Sequence, residues 1–410
     1  MRTHGLAGVL FCLFLCAATG ARAERPSVVL LTLDGVRWQE LLRGTDPELG
    51  DGRVLPVFTR FHADLKSEGL FYPEARLSNA VAISLPAYAS ILSGRFSDCE
   101  GNGCGRTRVP TLPEHLRATG DFAATDMALF ASWEKLPLAA ERAPGHLVVN
   151  AAYEAFGGDH ADLDAAQGAD PAPWEGARLD KYTLAHGLRY LRAHHPRFLM
   201  LSLNDADEQA HRGDYPAYIE ALRAYDRAIA EVVHTLAEMG ADGRETTLIV
   251  TTDHGRGQRG GWRDHGHNPD SERVWVFAHR AGGVPEPARS PIAHADLAPT
   301  IAAILGAPTA PCETCGHAIP ELVALGRTAA APAYAGPPPQ GTFGAPSVAA
   351  SLAWNAPTPL GRRAQAPSTG ESPSVQVVSS TRVPSGVESE NDSAAANRNP
   401  TVSSLISSTR

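Results

Sequence analysis

Thr246-Thr247-Leu248-Ile249-Val250-Thr251-Thr252 runs straight into Asp253-His254-Gly255. A continuous run rich in apolar and β-branched residues suits a strand covered on both faces, as in a parallel sheet. Two other stretches have the same form. Ser27 to Leu33 ends in Asp34-Gly35, and Arg197 to Leu203 ends in Asn204-Asp205. Val274 to Ala278 is a shorter fourth run. Helical spacing of apolar residues fills the gaps at Leu179 to His194, Tyr215 to Met239 and Asp296 to Leu305, with Asp296 as the N-cap of the last. Alternating strands and helices predict an α/β fold: a mostly parallel central sheet with helices on both faces.

The rest of the chain divides around this region. Arg2, the apolar run Leu6 to Ala18 and the small-x-small triplet Ala21-Arg22-Ala23 read as a signal peptide over 1–23. No later segment is long and apolar enough to span a bilayer, so no stable membrane insertion is expected after cleavage. The mature protein is expected to be secreted or periplasmic. Four cysteines then remain, and their close spacing favours Cys99–Cys104 and Cys312–Cys315 disulfides in an oxidising compartment. The α/β domain is placed at 24–327. Residues 328–410 are rich in Pro, Ala and Ser, include Pro337-Pro338-Pro339, and read as a disordered tail. A net charge of -9 offers no basic surface for nucleic acid, and nothing in the sequence implies a protein partner.

Carboxylates sit at the ends of the long strands, where ligands bind in open α/β sheets. Asp34, Asp207 and Asp253 are therefore expected to converge. His254 follows Asp253 directly. His211 lies four residues after Asp207, on the same face if that segment is helical. His265 is the third histidine candidate, with His267 as its competitor. Singly, each of these is more often a turn or surface residue. Together, three carboxylates and three histidines form a ligand set for two divalent metal ions, with Zn²⁺ the expected metal. Ser84 precedes Pro86, which fits the first turn of a helix running to Leu92 with Gly94 as its stop. Ser84 reads both as an N-cap and as a nucleophile held where a helix N-terminus favours phosphate.

The ordered segments Leu33-Asp34-Gly35, Ser84-Leu85-Pro86, Asp207 to His211, Thr252 to Gly255 and His265-Gly266 resemble the alkaline phosphatase superfamily, within it the nucleotide pyrophosphatase and phosphodiesterase branch. The late segment Ala295 to Thr300 is similar to that family as well. The resemblance implies one metal held by Asp207, His211 and His265. A second would be held by Asp34, Asp253 and His254 and would contact Ser84. It implies a small-molecule phosphate ester, diester or monoester, cleaved through a phosphoseryl intermediate on Ser84. Asn102, inside Cys99 to Cys104, is the candidate donor to the phosphate. Two departures matter. Sulfatases carry a Cys/Ser-x-Pro-x-Arg motif, and Tyr88 stands here in place of the arginine. No arginine clamp or magnesium site is evident, which favours diesters or a broad specificity; Arg95 and Arg106 are weak candidates. Trp38 and Tyr88 suit the core better than the flanks of a leaving group. The alternatives are a sulfatase-like hydrolase and a metal-binding protein without catalysis.

Overall fold

The central strand of the sheet is the first one in the chain. A computed structural model describes residues 25–285, 287–288, 291–308, 312 and 314–327. The signal peptide read at 1–23 and the tail read at 328–410 lie outside the described residues. Seven strands form one sheet: β1 (Ser27–Leu33), β2 (Gly69–Arg76), β3 (Met127–Ala131), β4 (Val148–Ala151), β5 (Phe198–Leu203), β6 (Thr246–Thr251) and β7 (Arg273–His279). Their order is β2-β7-β6-β1-β5-β3-β4. All neighbouring pairs are parallel except those of β7, which runs antiparallel to β6 and β2. Register aligns the carboxyl ends, with Leu33 opposite Leu203 and Thr32 opposite Thr251. The residues just past β1, β5 and β6 therefore emerge together along one edge.

Three strands escape the sequence reading. β2 contains Pro73, and β3 and β4 are only 5 and 4 residues long, too short for a periodic signal. Reversal of β7 has a consequence for the site. The segment between β6 and β7 leaves and returns at the same edge, and it carries Asp253, His254 and His265.

The pleat of β1 divides the core in two. Val28 and Leu30 join one cluster, and Val29, Leu31 and Leu33 join the other. The first face packs against helices Ser84–Ser93, Leu112–Ala118, Leu297–Ile304 and Pro320–Arg327, through residues such as Ile91, Leu116, Ile301 and Leu322. The second packs against Asp180–His194 and Tyr215–Glu238 through Leu184, Leu188, Leu222 and Ile229. Each such buried side chain contributes about 1.5–3 kcal/mol, so both helix layers are held firmly to the sheet.

Two expected caps take other forms. The helix at Ser84 runs to Ser93, and Gly94 ends it in the left-handed region at φ 69°. Its N-cap is Ile83, not Ser84. Ser84 lies inside the first turn, so its hydroxyl is not spent on capping. Asp296 does hold the N-cap position of the helix it precedes, but its side chain makes no capping bond there. Its carboxylate accepts the Ala293 and His317 N–H groups, each at 2.8 Å, and so closes the preceding 3₁₀ turn. Cys99–Cys104 and Cys312–Cys315 are both bonded. Among the described residues no helix is long and apolar enough to cross a membrane.

Candidate metal centre

Each of three carboxylates in the centre has one oxygen fixed by the protein and one turned towards a histidine. Asp253 follows β6, and its Oδ1 accepts the backbone N–H of Gly35 (3.1 Å) and of His254 (2.8 Å). Its Oδ2 is buried without a hydrogen-bond partner, 3.4 Å from His254 Nε2. Asp34 follows β1. Tyr88 donates its hydroxyl to Asp34 Oδ2 (3.2 Å), while Oδ1 is buried and unpartnered, 3.5 Å from His254 Nε2. Asp207 lies on the helix Asp205–Arg212 that follows β5. Arg256 grips its Oδ1, and its Oδ2 lies 3.1 Å from His211 Nε2.

The histidines show the same division. A carbonyl only accepts, so it fixes the tautomer of an imidazole bound to it. His254 Nδ1 donates to Gly255 O at 2.9 Å, and His265 Nδ1 donates to Ala82 O at 2.7 Å. Both Nε2 atoms are thereby left as lone-pair donors. His254 Nε2 lies 3.2 Å from Ser84 Oγ. His265 Nε2 lies 3.1 Å from His211 Nε2, and its ring stacks on His254 with centroids 4.0 Å apart. His267, the competing candidate, is exposed on the same loop.

Electrostatics explain why this cluster needs cations. Burial pushes the Asp34 carboxyl well above its usual range, and the Asp253 and Asp207 charges push it further. Burial, then the Asp207 charge, raises Asp253 to about 7. Burial opposes the charge on Asp207 too, but Arg256 and His211 outweigh it and hold that carboxyl well below the usual range. Desolvation lowers His254 to about 4 and His265 to about 3. Neutral imidazoles and crowded carboxylates with orphaned oxygens are the chemical state that divalent cations complete. Ligand atoms of Asp34, Asp253 and His254 lie within 4.8 Å of one another, as do those of Asp207, His254 and His265. These side chains fit a pair of metal ions, and His211 adds a further nitrogen beside the second group.

The backbone around the centre is built for it. Gly35 has φ 65°, and a Cβ there would stand 2.5 Å from Asp207 Oδ1. Buried Asp180 accepts the N–H of Asn204 and of Asp205, both at 2.7 Å, and so anchors the first turn of the helix carrying Asp207. Asn102 is close to the nucleophile candidate: its Oδ1 accepts the Leu85 N–H at 2.9 Å. Trp38 and Tyr88 are core residues, 7% and 0% exposed. The guanidinium groups of Arg43 and Arg273 lie over the Trp38 ring, 4.6 and 4.0 Å from its centroid.

Sequence reading missed Arg256, Asp180 and the anchoring part played by Tyr88. Arg256 follows Gly255 directly, which is a usable signal, since a cation next to a ligand dipeptide can reach a neighbouring carboxylate. Asp180 carried no signal, being far from the other site residues in sequence.

Residues 180–307 match the model of the Metalloenzyme superfamily. They include Asp207, His211, Asp253, His254 and His265. The phosphonate monoester hydrolase SpPMH from Silicibacter pomeroyi superposes with a TM-score of 0.51 at 15% identity, covering 73% of this chain and 76% of that one. The fold is thus shared with this hydrolase over about three quarters of the chain, and the family match covers residues 180–307. Other solved structures align similarly. The lipoteichoic acid synthase LtaP from Listeria monocytogenes has a TM-score of 0.50 at 14% identity, covering 73% of this chain and 76% of that one. A 2-O GAG sulfatase has a TM-score of 0.50 at 13% identity, covering 73% and 74%. In sequence, a 2,3-bisphosphoglycerate-independent phosphoglycerate mutase of Cyanothece sp. is 30% identical over 133 residues, 30% of this chain. The match spans 23% of the mutase's own length.

Proposed function

We propose that this chain is a member of the alkaline phosphatase superfamily, an exported two-metal phosphohydrolase that cleaves phosphodiester or phosphomonoester bonds of small molecules through a phosphoseryl intermediate on Ser84. The observation that carries the reading is the Ser84 hydroxyl 3.2 Å from His254 Nε2, on which two buried carboxylates with orphaned oxygens converge. Bound cations, with Asp34, Asp253 and His254 as one ligand set and Asp207, His211 and His265 as the other, supply charge that lowers the serine pKa and stabilises phosphate oxygens. Zn²⁺ suits the nitrogen-containing sets.

Ser84 loses its hydroxyl proton to solvent, and its Oγ attacks phosphorus as the bond to the leaving oxygen breaks. Water then attacks the phosphoseryl group and restores the hydroxyl, releasing phosphate from a monoester substrate and a phosphate monoester from a diester. Asn102, with its carbonyl oxygen tied to Leu85, has both side-chain N–H donors left for a non-bridging oxygen. The order of the motifs supports a likeness to the nucleotide pyrophosphatase and phosphodiesterase branch. Both disulfides support an oxidising compartment.

A sulfatase reading has one point in its favour, the presence of sulfatases among the similar folds. Against it, Tyr88 occupies the place of the motif arginine, fully buried and committed to Asp34. The test compares turnover of an aryl monophosphate, a bis-aryl phosphate and an aryl sulfate. Phosphate ester turnover is expected to dominate and to vanish in Ser84→Ala while metal content is retained. A dominant sulfate rate, or activity surviving in Ser84→Ala, overturns the reading.

A further inference from the structure

Asn102 owes its place to a covalent ring. The Cys99–Cys104 disulfide closes the loop Cys99-Glu100-Gly101-Asn102-Gly103-Cys104 around it. Both stems of this loop are pinned. On one side the Ser97 N–H donates to Ser78 O at 3.2 Å. On the other the Thr107 N–H donates to Leu138 O at 2.8 Å, and Arg106 donates to the carbonyls of Pro137 and Glu141 at 2.7 and 2.9 Å. The span between the stems is open: a Cβ on Gly101, Gly103 or Gly105 would meet no atom within 4 Å beyond its chain neighbours. Two hydrogen bonds reach Asn102 from outside the loop. The Leu85 N–H donates to its Oδ1 at 2.9 Å, and Lys135 Nζ donates to its backbone carbonyl at 3.2 Å. Cys104 packs against the core, and the disulfide passes that anchorage across to the Cys99 side.

The ring can be reached from solvent. Cys99 and Cys104 are half-buried, and both line a groove of about 440 Å³ that runs along Leu85, Ala89 and Ser93 of the nucleophile helix. The other disulfide has a different setting. Gly316 N–H donates to Gly94 O at 2.9 Å, and a Cβ on Gly316 would stand 2.2 Å from Ala295 O. The backbone beside Cys315 is thus held by close packing as well as by sulfur.

We propose that Cys99–Cys104 is a redox switch on catalysis: a dithiol reductant opens the ring and frees Asn102 from the nucleophile, so that full activity belongs to the oxidised protein. This inference rests on the phosphohydrolase reading above, with Asn102 as donor to the phosphate. One thiolate of the reductant attacks a sulfur of the pair, the S–S bond breaks, and the other cysteine leaves as a thiolate that takes up a proton. The second thiol of the reductant loses its proton, attacks the mixed disulfide and releases the first cysteine. Two electrons pass to the cysteines, and the reductant ends as its own disulfide. Because the stems stay pinned, the change is confined to residues 98–105 and both metal ligand sets are left in place.

The test treats the metal-loaded protein with dithiothreitol and follows kcat/KM, metal content and amide hydrogen exchange at Leu85. On whichever ester the wild type turns over, kcat/KM is expected to fall about 10–50-fold, on the order of the chain entropy that so small a disulfide ring removes, and to return on reoxidation. The Leu85 amide, losing its acceptor, should exchange faster by a similar factor. Cys99→Ser/Cys104→Ser needs no reductant and should match the reduced wild type with its metal retained. Asn102→Ala should be slow in both states and lose nothing more on reduction, whereas Cys312→Ser/Cys315→Ser should keep the full response. An unchanged rate once alkylation shows both cysteines reduced overturns the proposal. So does an equal fall in Asn102→Ala, a fall matched by loss of metal, or a response that disappears in Cys312→Ser/Cys315→Ser. If the oxidised wild type hydrolyses no ester while Leu85 exchange still answers to reduction, the phosphohydrolase reading is what fails; unaltered Leu85 exchange overturns the switch itself.

Discussion

Arg256, fully buried, holds Asp207 Oδ1 with Nη2 at 2.9 Å and Nη1 at 3.1 Å. This leaves Oδ2 as the oxygen turned towards His211. The arginine thus keeps Asp207 ionised and offers it through a single atom. Arg256→Met should therefore impair the Asp207, His211 and His265 set selectively. Elemental analysis is expected to show loss of about one metal ion per chain, and denaturant unfolding a cost of about 3–5 kcal/mol, typical of breaking a buried ion pair. Full metal content in the variant would count against this role.

Asn102→Ala should lower kcat by about 10²–10³, the range for removing one donor to a transition-state oxygen. Metal content should not change, because Asn102 is outside both ligand sets. Steady-state kinetics with elemental analysis checks both expectations.

Metal removal should invert the pH dependence of stability. In the metal-free fold Asp253 is raised to about 7, above an ordinary aspartate near 3.9. Its stabilising contribution is present in full below about pH 4 and is lost as pH rises through about 7. Chelated protein should therefore melt at lower temperature as pH climbs across that window. Excess Zn²⁺ should reverse the slope, because its ligands bind in their deprotonated forms. Melting curves with and without chelator from pH 4 to 8 provide the measurement.

A second titration lies away from the metal centre. His160 Nδ1 and His186 Nδ1 are 2.8 Å apart with stacked rings, an arrangement that needs at least one neutral ring. Burial, then the Arg178 charge, lowers His186 to about 3, well under the ordinary value near 6.5. Its contribution is complete above about pH 6.5 and is lost as pH falls towards 3. Wild type should lose stability on acidification from pH 7 to 4 more steeply than His186→Leu, whatever the variant's stability at neutral pH. Parallel melting profiles would rule this out.

Legibility in the sequence followed length and locality. β1, β5 and β6 were readable because long apolar runs ended in carboxylates, and the turn from Asp207 to His211 because helical spacing is local. β2 lacked that signal, with Pro73 in its middle, and β3 and β4 were too short to show one. Ser84 looked like an N-cap because residue type cannot show which residue of Ile83-Ser84 enters the helix first. Long-range anchors were out of reach. That Tyr88 serves Asp34, and Arg256 serves Asp207, depends on which faces the sheet brings together.

The central position of β1 also dictates an order of assembly. Val28 pairs with Phe198 on one side and Thr247 on the other. The first strand of this sheet to be synthesised thus has no lasting neighbour until most of the sheet has been made. Contacts so distant in sequence form slowly. A nascent chain stalled before Thr246 would hold a bare central edge and none of Asp253, His254 or His265. The chemistry of this fold can switch on only when its earliest and latest segments have met.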